Sequence, residues 1–267
     1  MHKVYKVKEV IRENDKAVSI ILNGKINYKP GQFIMLWLPG VDEKPFAVSY
    51  LTKSIFGVTI EAKGIFTKKI SKVKKGTKVG IRGPYGNGFS FKNNSIVVAG
   101  GLGMAPSLSL IKKIKNTTVI QGAKSKEYLL FLKNKKIKEI IEKNNNKIIY
   151  CTDDGSYGIH GFTTDILKEI INKKTNLVYT CGPEIMMKRV FEICEKNKIE
   201  YQASLERFCK CGLGICGSCA INDQLVCKDG PVFNSKQIRK LTELGKFARL
   251  KSGRKVKINE YYAWKGK

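Results

Sequence analysis

The segment from Ser204 to Phe233 reads SLERFCKCGLGICGSCAINDQLVCKDGPVF and holds five of the eight cysteines of the chain. Four of them, Cys211, Cys216, Cys219 and Cys227, follow the order Cys-x4-Cys-x2-Cys and then, after seven further residues, a fourth Cys. This is the plant-type spacing of the four thiolates that hold a [2Fe–2S] cluster. Glycines lie between them, as a backbone that wraps tightly around inorganic sulfide requires. The segment therefore predicts a cluster-binding loop.

Two other interpretations of this cysteine segment are less favoured. Disulfide bonds are typical of exported proteins, and the first residues, MHKVYKVKEV, alternate like a strand and lack the apolar core of a signal peptide. A structural zinc site usually pairs two separated Cys-x2-Cys hooks, whereas this run is asymmetric. Cys209 lies outside the spacing, and we expect it to be a small packed residue beside the cluster.

Length and charge limit the class of protein. With 267 residues, of which 42% are hydrophobic, the chain can form two compact domains and a small appendage. No stretch is apolar enough for a membrane span, so we expect a cytoplasmic protein without membrane contact. The formal charge of +28 raises the possibility of nucleic-acid binding. Its lysines are dispersed through every segment, which favours a solvated surface that attracts acidic partners and anionic cofactors over a nucleic-acid interface.

Residues 1–92 have the composition of an all-β unit. Six short segments rich in valine, isoleucine and aromatic residues are separated by turn residues such as Asn23-Gly24 and Pro30-Gly31. We expect them to pair as a small antiparallel barrel. Gly64 opens a helix directly after the fifth segment, and such a helix start offers free N–H groups to a phosphate. The six segments are HKVYKVKEVI, AVSIIL, QFIMLWL, PFAVSYL, FGVTIEA and TKVGIR.

From residue 93 to about residue 200, strands alternate with helices. The strands SIVVAG, TTVIQGA, KIIYC and NLVYTC predict a doubly wound parallel sheet. Ligands on such sheets bind at the carboxyl ends of the strands, which here read AGGLGMAP, QGAKS, CTDDGSYG and TCGPE. The predicted helices are Ala105–Lys115, Lys126–Leu132, Phe162–Ile171 and Pro183–Lys196.

Seven motifs in a fixed order carry a resemblance to a known family. They are KPFAVSY (Lys44–Tyr50), GIFTKKI (Gly64–Ile70), GPYGNGF (Gly83–Phe89), VAGGLGMAP (Val98–Pro106), TDDGSYGIHG (Thr152–Gly161), CGPEIMM (Cys181–Met187) and the cysteine segment. The chain resembles the ferredoxin–NADP reductase superfamily from its first strand to about Phe233. Within that superfamily it is similar to the electron-transfer subunits of NAD-dependent dihydroorotate dehydrogenase.

The resemblance implies a β + α/β fold of three parts, which a C-terminal segment outside the resemblance follows. We expect an antiparallel FAD-binding β-barrel over residues 1–92, followed by a doubly wound NAD(P)-binding domain over residues 93–200. A small [2Fe–2S] subdomain is expected over residues 201–235. Residues 236–267 form a basic extension of unknown role, in which ELGKF suggests a helix and RKVKINEYYAW a strand-like end.

The resemblance also assigns the flavin contacts. It places the segment Lys44-Pro45-Phe46-Ala47-Val48 along the flavin and its phosphates, and it places Gly64, Phe66 and Thr67 at the pyrophosphate. Lysine stands where the family has arginine and alanine where it has serine, so a bidentate fork and a hydroxyl are lost. Backbone N–H groups of residues 47–49 could substitute. Lys44 could instead be one surface lysine among many, and Thr67 could only cap its helix.

For the nicotinamide nucleotide the resemblance assigns two loops. Gly101, Gly103 and Met104 are expected to let the nucleotide approach the sheet, with Cys181, Gly182 and Pro183 beside the nicotinamide. A small buried residue is the alternative for Cys181, and Asp153 and Asp154 could be turn residues only. The loop Ala123-Lys124-Ser125-Lys126 could serve a 2′-phosphate, but lysine is frequent throughout the chain, so we predict NAD.

The implied function is electron transfer through FAD and the cluster between NAD+ and a partner. That partner is expected to be the FMN-bearing catalytic subunit that oxidises dihydroorotate in pyrimidine synthesis, in a heterotetramer with two copies of each chain. The two histidines, His2 and His160, do not lie beside a candidate nucleophile, so substrate chemistry is expected on the partner.

Three alternative functions stay open at this point. The chain could be a diaphorase subunit of a ferredoxin or sulfide oxidoreductase or of a cytoplasmic hydrogenase. It could also be a non-catalytic flavin or zinc module, or a nucleic-acid-binding protein. The all-cysteine ligand set disfavours the ferredoxin oxidoreductase type, in which aspartate tends to replace one cysteine.

Overall fold

The computed structural model describes residues 2–265, and its first part is a closed barrel of six strands. Every pair of neighbouring strands is antiparallel, in the order β1-β2-β5-β4-β3-β6, which confirms the predicted barrel. The strands are β1 (Lys3–Arg12), β2 (Ala17–Asn23), β3 (Phe33–Leu38), β4 (Asp42–Leu51), β5 (Ile55–Glu61) and β6 (Lys78–Tyr85).

Alternation of side chains along these strands fills the barrel. Leu22, Ile34, Val48 and Ile60 have no exposed surface and belong to one apolar core, as expected when every second residue points inward. Helix α1 (Ile65–Ile70) follows β5 and adds buried Phe66 and Ile70 to this core. The helix thus packs against the barrel core.

A seven-stranded sheet makes up the second part, in the order β10-β9-β8-β7-β11-β12-β15. All its neighbours are parallel except β12 and β15, which are antiparallel. Its strands are β7 (Ile96–Gly100), β8 (Thr118–Ala123), β9 (Lys147–Thr152), β10 (Ile159–His160), β11 (Val178–Cys181), β12 (Tyr201–Ser204) and β15 (Val232–Asn234). The helices among them are α2 (Met104–Ile111), α3 (Lys135–Glu142), α4 (Thr163–Ile170) and α5 (Glu184–Lys196).

Helices cover both faces of this sheet, which confirms the doubly wound prediction. On β7, Val98 packs in the core that includes residues of α4 and α5. Its neighbour Val97 packs in the core that includes residues of α2 and α3. Because successive side chains of a strand point to opposite faces, these two cores lie on opposite sides of the sheet.

In this part of the chain, one helix was missed and one predicted helix was wrong. Helix α3 was not predicted, because its sequence KKIKEIIE looks like a solvated charge run, and only Ile137 and Ile141 are buried. The Asn134 side chain caps it by accepting from the Ile137 N–H at 3.3 Å, a signal that could have revealed it. Conversely, the helix predicted from Lys126 to Leu132 is a short 3-10 turn, Lys126–Tyr128, which ends because Leu129 is extended.

The cysteine segment is an insertion into the sheet. It leaves β12 and returns as β15, and Ser204 pairs with Val232 across these two strands. The segment contains one small hairpin, β13 (Ala220–Ile221) with β14 (Gln224–Leu225). The boundary expected at residue 200 therefore falls just before a strand that continues the nucleotide sheet.

The C-terminal segment packs on the start of the cysteine segment. Ala248, Val256 and Tyr261 form a small buried core against Phe208. ELGKF is a turn that enters a strand, so the helix predicted there was wrong. RKVKINEYYAW is a strand over Lys255–Lys257 and helical from Ile258, so the strand-like prediction holds only for its first part. Its elements are α6 (Ser235–Ile238), β16 (Phe247–Arg249), β17 (Lys255–Lys257) and α7 (Ile258–Lys265). Within residues 2–265, no helix has the length and apolar character needed to cross a membrane.

Candidate functional site

The two loops predicted to receive the nicotinamide nucleotide meet at the carboxyl edge of the sheet. β8 lies on one side of β7 and β11 on the other, so the strand order reverses here. Ala99 and Cys181 are paired across the two strands. A Cβ atom on Gly103 would lie 2.0 Å from the Cys181 carbonyl oxygen, so the two loops touch backbone to backbone. Open α/β sheets bind ligands in the crevice at such a reversal.

The individual residues of this edge differ in what they offer a ligand. A Cβ atom on Gly101, where φ is +52°, would meet nothing within 4 Å, so its backbone is open to a bound molecule. Met104, in contrast, has no exposed surface, and its N–H already donates to the Gly101 carbonyl. This corrects our expectation that Met104 meets the nucleotide. Gly182 lies against Gly100, and Pro183 precedes the first turn of α5. Burial raises the pKa of the Cys181 thiol to about 12, so the group stays neutral.

The loops after β8 and β9 are tied to each other. The Ser125 hydroxyl donates to Glu127, and the Lys126 N–H donates to the Ser156 hydroxyl at 2.8 Å. Asp154 accepts from both the N–H and the hydroxyl of Ser156, at 3.0 and 2.6 Å. Ser125, which we considered for a 2′-phosphate, therefore already has an acidic partner in its own loop.

The predicted flavin segment lies on β4, and part of it already has protein partners. Lys44 Nζ forms an ion pair with Asp42 and lies 5.9 Å from the centroid of the Phe208 ring. The Val48 N–H donates to the Tyr28 hydroxyl at 3.3 Å. One of the three backbone N–H groups, those of residues 47–49, that could substitute for the missing serine hydroxyl is therefore already engaged. Pro45, Phe46 and Ala47, between these two positions, are partly exposed.

The start of α1, predicted to receive a pyrophosphate, is organised by Thr67. Its hydroxyl accepts from the N–H groups of Lys63 and Gly64 at 3.0 and 2.9 Å and donates to the Gly64 carbonyl at 3.1 Å. The capping role that we considered for this residue is therefore present. Phe66 is buried, with its ring 6.1 Å from the Phe46 ring and nearly parallel to it. Its side chain belongs to the barrel core and is not placed to contact a ligand.

The cysteine loop directs backbone N–H groups at sulfur. Leu213 N–H lies 3.3 Å from Cys211 Sγ, and Gly214 N–H lies 3.2 Å from Cys227 Sγ. Cys227 N–H lies 3.4 Å from Cys219 Sγ. Such N–H···S contacts stabilise a thiolate, the form that binds metal. They link three of the four predicted ligands into one loop.

The thiols of the loop differ in pKa. The hydrogen bond from Cys209 is the main cause that lowers the pKa of Cys219 to about 6. At Cys211, burial opposes ionisation, but hydrogen bonds from Leu213, Cys216 and Ile215 N–H groups prevail and lower its pKa to about 6. Burial raises the pKa of Cys227 to about 12. Two of the predicted ligands are thus readily deprotonated by the protein alone.

The donor set fits a two-iron cluster. Four cysteines supply the thiolates. In a [2Fe–2S] cluster each iron binds two of them, whereas a single metal ion would need all four around itself. Across the described part of the chain, no three Cys, His, Asp or Glu side chains converge as a single metal ion would require. Cys216 is exposed at the tip of the loop, whereas Cys209 is packed in the core with Cys219 and Cys227.

Two Arg–Glu pairs beside this loop were not predicted from the sequence. Arg82 on β6 binds Glu43 on β4 and donates to the Cys211 carbonyl at 3.2 Å. Arg207, at the start of the cysteine segment, binds Glu184 on α5. Arg82 directly precedes the GPYGNGF motif, and Glu184 is the fourth residue of CGPEIMM. Their positions beside motifs are the only signals in the sequence.

Comparisons with known proteins agree with this arrangement. A family model described as the iron–sulfur cluster binding domain of dihydroorotate dehydrogenase B matches residues 206–239. A second, described as an oxidoreductase NAD-binding domain, matches residues 97–192. Among solved structures, that of the NADH-dependent reduced ferredoxin-NADP oxidoreductase has a TM-score of 0.77 at 21% identity and covers 91% of this chain and 92% of that one. This likeness shows the shared fold.

Full-length relatives extend the comparison to the whole chain. A protein of Methanocaldococcus jannaschii named "Probable dihydroorotate dehydrogenase B (NAD(+)), electron transfer subunit" is 44% identical over 261 residues, covering 95% of this chain and 97% of that protein. A protein of Pyrococcus furiosus with the same name is 46% identical over 247 residues, covering 91% and 94%. These relatives confirm the resemblance that the seven motifs indicated. The chain belongs to the family of electron-transfer subunits of dihydroorotate dehydrogenase B (NAD(+)).

Proposed function

We propose that this chain carries electrons between NAD+ and a partner catalytic subunit through FAD and a [2Fe–2S] cluster, in pyrimidine synthesis. The observation that carries the proposal is the insertion of the cysteine loop into the nucleotide sheet, between β12 and β15, where it also contacts the barrel through Arg82. One sheet therefore supports both the nucleotide edge and the cluster loop. The family to which the chain belongs supports the same assignment.

The barrel is the proposed FAD site. Residues Lys44, Pro45, Phe46, Ala47 and Val48 on β4 would line the flavin, and the turn at Gly64, Phe66 and Thr67 would take the pyrophosphate. A Cβ atom on Gly64 would meet nothing within 4 Å, so a phosphate can approach the backbone there. The first N–H groups of a helix lack intrahelical partners and point at such an anion. When bound, a flavin exchanges a hydride with a nicotinamide and passes on single electrons.

At the nucleotide edge, Gly101 would admit the nucleotide, and Gly103, packed against the Cys181 carbonyl, would let the two loops meet there. Met104 would support this edge from the apolar core. Cys181, Gly182 and Pro183 would line the nicotinamide, and the neutral thiol would add no charge beside it. The edge orients the nucleotide and excludes water from it, which is the contribution a protein makes to hydride transfer. The engaged Ser125 hydroxyl supports NAD over NADP.

The cluster is proposed to bind Cys211, Cys216, Cys219 and Cys227. Cys216 at the exposed tip would face the partner. Beside it, Lys210, Arg249 and Lys251 line a basic pocket, which is suited to acidic side chains of another protein. We propose that this partner carries FMN and oxidises dihydroorotate, that two copies of each chain assemble, and that the complex is cytoplasmic.

We assign substrate oxidation to the partner because neither histidine of this chain lies at the nucleotide edge, where a proton-transferring group would be needed. His2 is paired with Glu43, Nε2 to Oε1 at 2.7 Å, and lies against the Trp37 ring. His160 is exposed in the two-residue strand β10. Neither lies at the nucleotide edge formed by β7 and β11.

The decisive experiment asks whether dihydroorotate, the substrate assigned to the partner, can reduce the cluster. The chain is purified anaerobically with its partner, and the visible and EPR spectra are followed after addition of dihydroorotate. We expect the cluster to be reduced only when the partner is present, whereas NADH reduces it in either case. Reduction by NADH but never by dihydroorotate would contradict the assigned partner and leave the redox role.

A matched pair of cysteine variants tests the ligand assignment. Cys216→Ser should lose the cluster spectrum while it keeps flavin and NADH–dye activity. Cys194→Ala, which changes a buried cysteine on α5 outside the loop, should keep all three. Retention of a normal cluster by Cys216→Ser would contradict the proposed ligand set.

A further inference from the structure

Beside Cys211, the barrel contacts the cysteine loop through a small group of side chains. Met35 on β3 and Arg82 and Tyr85 on β6 form this group, which we name the barrel contact face. A Cβ atom on Gly212 would lie 3.3 Å from both Met35 Cγ and Tyr85 Cδ2. The loop backbone that follows Cys211 therefore rests directly on these two side chains.

Arg82 is the charged member of the barrel contact face, and all three of its nitrogens have acceptors. Nε and Nη2 donate to the two carboxylate oxygens of Glu43 at 2.8 and 2.5 Å. Nη1 donates to the Cys211 carbonyl at 3.2 Å and lies 3.4 Å from the Tyr85 hydroxyl. Only 17% of the side chain is exposed. The guanidinium is therefore held in one orientation, as its planar fork allows and a lysine would not.

The position of Glu43 is itself fixed by the barrel. Its Oε1 accepts from His2 Nε2 at 2.7 Å, and the His2 ring lies 4.9 Å from the Trp37 ring. Glu43 stands opposite Trp37 in the β3–β4 ladder. Contacts among strands β3, β4 and β6 thus fix the position of the Arg82 guanidinium. Arg82 in turn holds the carbonyl of Cys211, which lies 129 positions further along the chain.

A fixed, partly buried charge beside a cluster acts on its reduction potential. Adding an electron to a cluster adds negative charge, which a nearby cation stabilises and a nearby anion disfavours. The Arg82–Glu43 pair is sheltered enough that salt screens it less than an exposed pair. Its guanidinium faces the loop and its carboxylate lies behind, so the two charges act with opposite sign and unequal weight.

We propose that Arg82 is a positioning residue for the cluster loop and that the Arg82–Glu43 pair sets the reduction potential of the cluster. The inference rests on the proposed function, because it requires a [2Fe–2S] cluster at Cys211. It adds to that function a determinant of how readily the cluster accepts an electron, located in the barrel and not in the cysteine segment.

The test measures the cluster potential by EPR-monitored redox titration of the cluster-loaded full chain. Arg82→Gln should make cluster reduction less favourable by at least threefold, a shift of about 28 mV to more negative potential for one electron. Glu43→Gln should shift it in the opposite direction, because Arg82 then lacks its counter-charge. Arg82→Lys keeps the charge and should stay closer to the wild type than Arg82→Gln. Arg239→Gln, which removes an exposed arginine paired with Glu195, is the control and should shift nothing.

Opposite signs for Arg82→Gln and Glu43→Gln support the inference, since a merely structural disturbance of the loop does not reverse its sign with the sign of the charge that is removed. Shifts of the same sign, or shifts no larger than that of Arg239→Gln, overturn it. Should Arg82→Gln fail to hold a cluster, Glu43→Gln decides alone: a raised potential supports the inference and an unchanged one overturns it. Absence of a two-iron signal from the wild-type chain would instead contradict the proposed function.

Discussion

Two Arg–Glu pairs hold the cysteine segment, and they differ in how much water reaches them. The side chains of Arg207 and Glu184 are 1% and 3% exposed, whereas those of Arg82 and Glu43 are 17% and 18% exposed. Both arginines use the planar fork on both carboxylate oxygens. Both pairs are therefore bidentate, although Arg207 bonds through Nη1 and Nη2 and Arg82 through Nε and Nη2.

The buried pair joins three parts of the chain. Glu184 begins α5 directly after the nucleotide loop, and its Oε1 also accepts from the Gly245 N–H of the C-terminal segment at 2.5 Å. Arg207 donates to the Phe247 carbonyl of the same segment at 3.4 Å. Because the desolvation of two buried charges offsets much of their attraction, this pair secures geometry more than stability. The half-buried pair costs less to desolvate, so its charges remain available to influence the loop.

The largest effect is expected from breaking the buried pair on one side. Arg207→Ala leaves the Glu184 carboxylate buried without its counter-charge, and we expect a loss of about 3–5 kcal/mol in the free energy of unfolding. Urea denaturation followed by circular dichroism measures it. A loss below about 1 kcal/mol would mean that water reaches Glu184 and that the two pairs do not differ as described.

Replacing both partners should recover part of that loss. In Arg207→Met with Glu184→Met, no buried charge remains, and apolar side chains of similar length fill the space. We expect this double variant to be about 2 kcal/mol more stable than Arg207→Met alone, with the Gly245 N–H losing an acceptor at a cost of about 1 kcal/mol. The same urea denaturation measures both variants. A double variant less stable than Arg207→Met alone would contradict the account in which desolvation of the two charges offsets most of their attraction.

A smaller and pH-dependent effect is expected at Glu43. Burial alone would raise the pKa of Glu43, but the hydrogen bonds from Arg82 and His2 outweigh it and hold the pKa below its usual value. Its contribution to stability is therefore full above the unfolded-state pKa of about 4.3 and is lost as the pH falls through the folded-state value. Glu43→Gln should cost about 1 kcal/mol at pH 7 and progressively less below pH about 4. A difference from the wild type that stays constant down to pH 3 would contradict this account.

The smallest effect is expected where a pair is open to water. Arg239 and Glu195 also form a two-bond contact, yet their side chains are 45% and 36% exposed. Arg239→Ala should change the free energy of unfolding by at most about 0.5 kcal/mol, because solvent screens the pair. A thermal-shift comparison in low and high salt tests this, and a larger loss would show that fork geometry, more than burial, decides the strength of these pairs.

The sequence predicted well what is local or repeated at short range. Strand alternation gave the six barrel strands, and the spacing of Cys211, Cys216, Cys219 and Cys227 with their glycines indicated the loop chemistry. The two Arg–Glu pairs could not be predicted from the sequence, because their members lie 23 and 39 positions apart and no local pattern connects them.

The direction in which a side chain of a motif points could not be predicted from the sequence either. Phe66 and Met104 belong to motifs assigned to cofactors, yet both side chains are buried in apolar cores. Motif position predicts which loop a residue belongs to, but packing decides which way its side chain points. Helix α3 was missed because its lysines masked a narrow apolar stripe.

The outer strands of the nucleotide sheet have a consequence for how this chain associates with others. One edge is β10, with two residues, and the other is β15, with three. Such short edges offer few unpaired N–H and C=O groups for another chain to extend the sheet. Together with a formal charge of +28, which makes identical copies repel one another, they protect the protein from self-aggregation by strand addition. Assembly is thereby left to side-chain surfaces, where charge can select the partner.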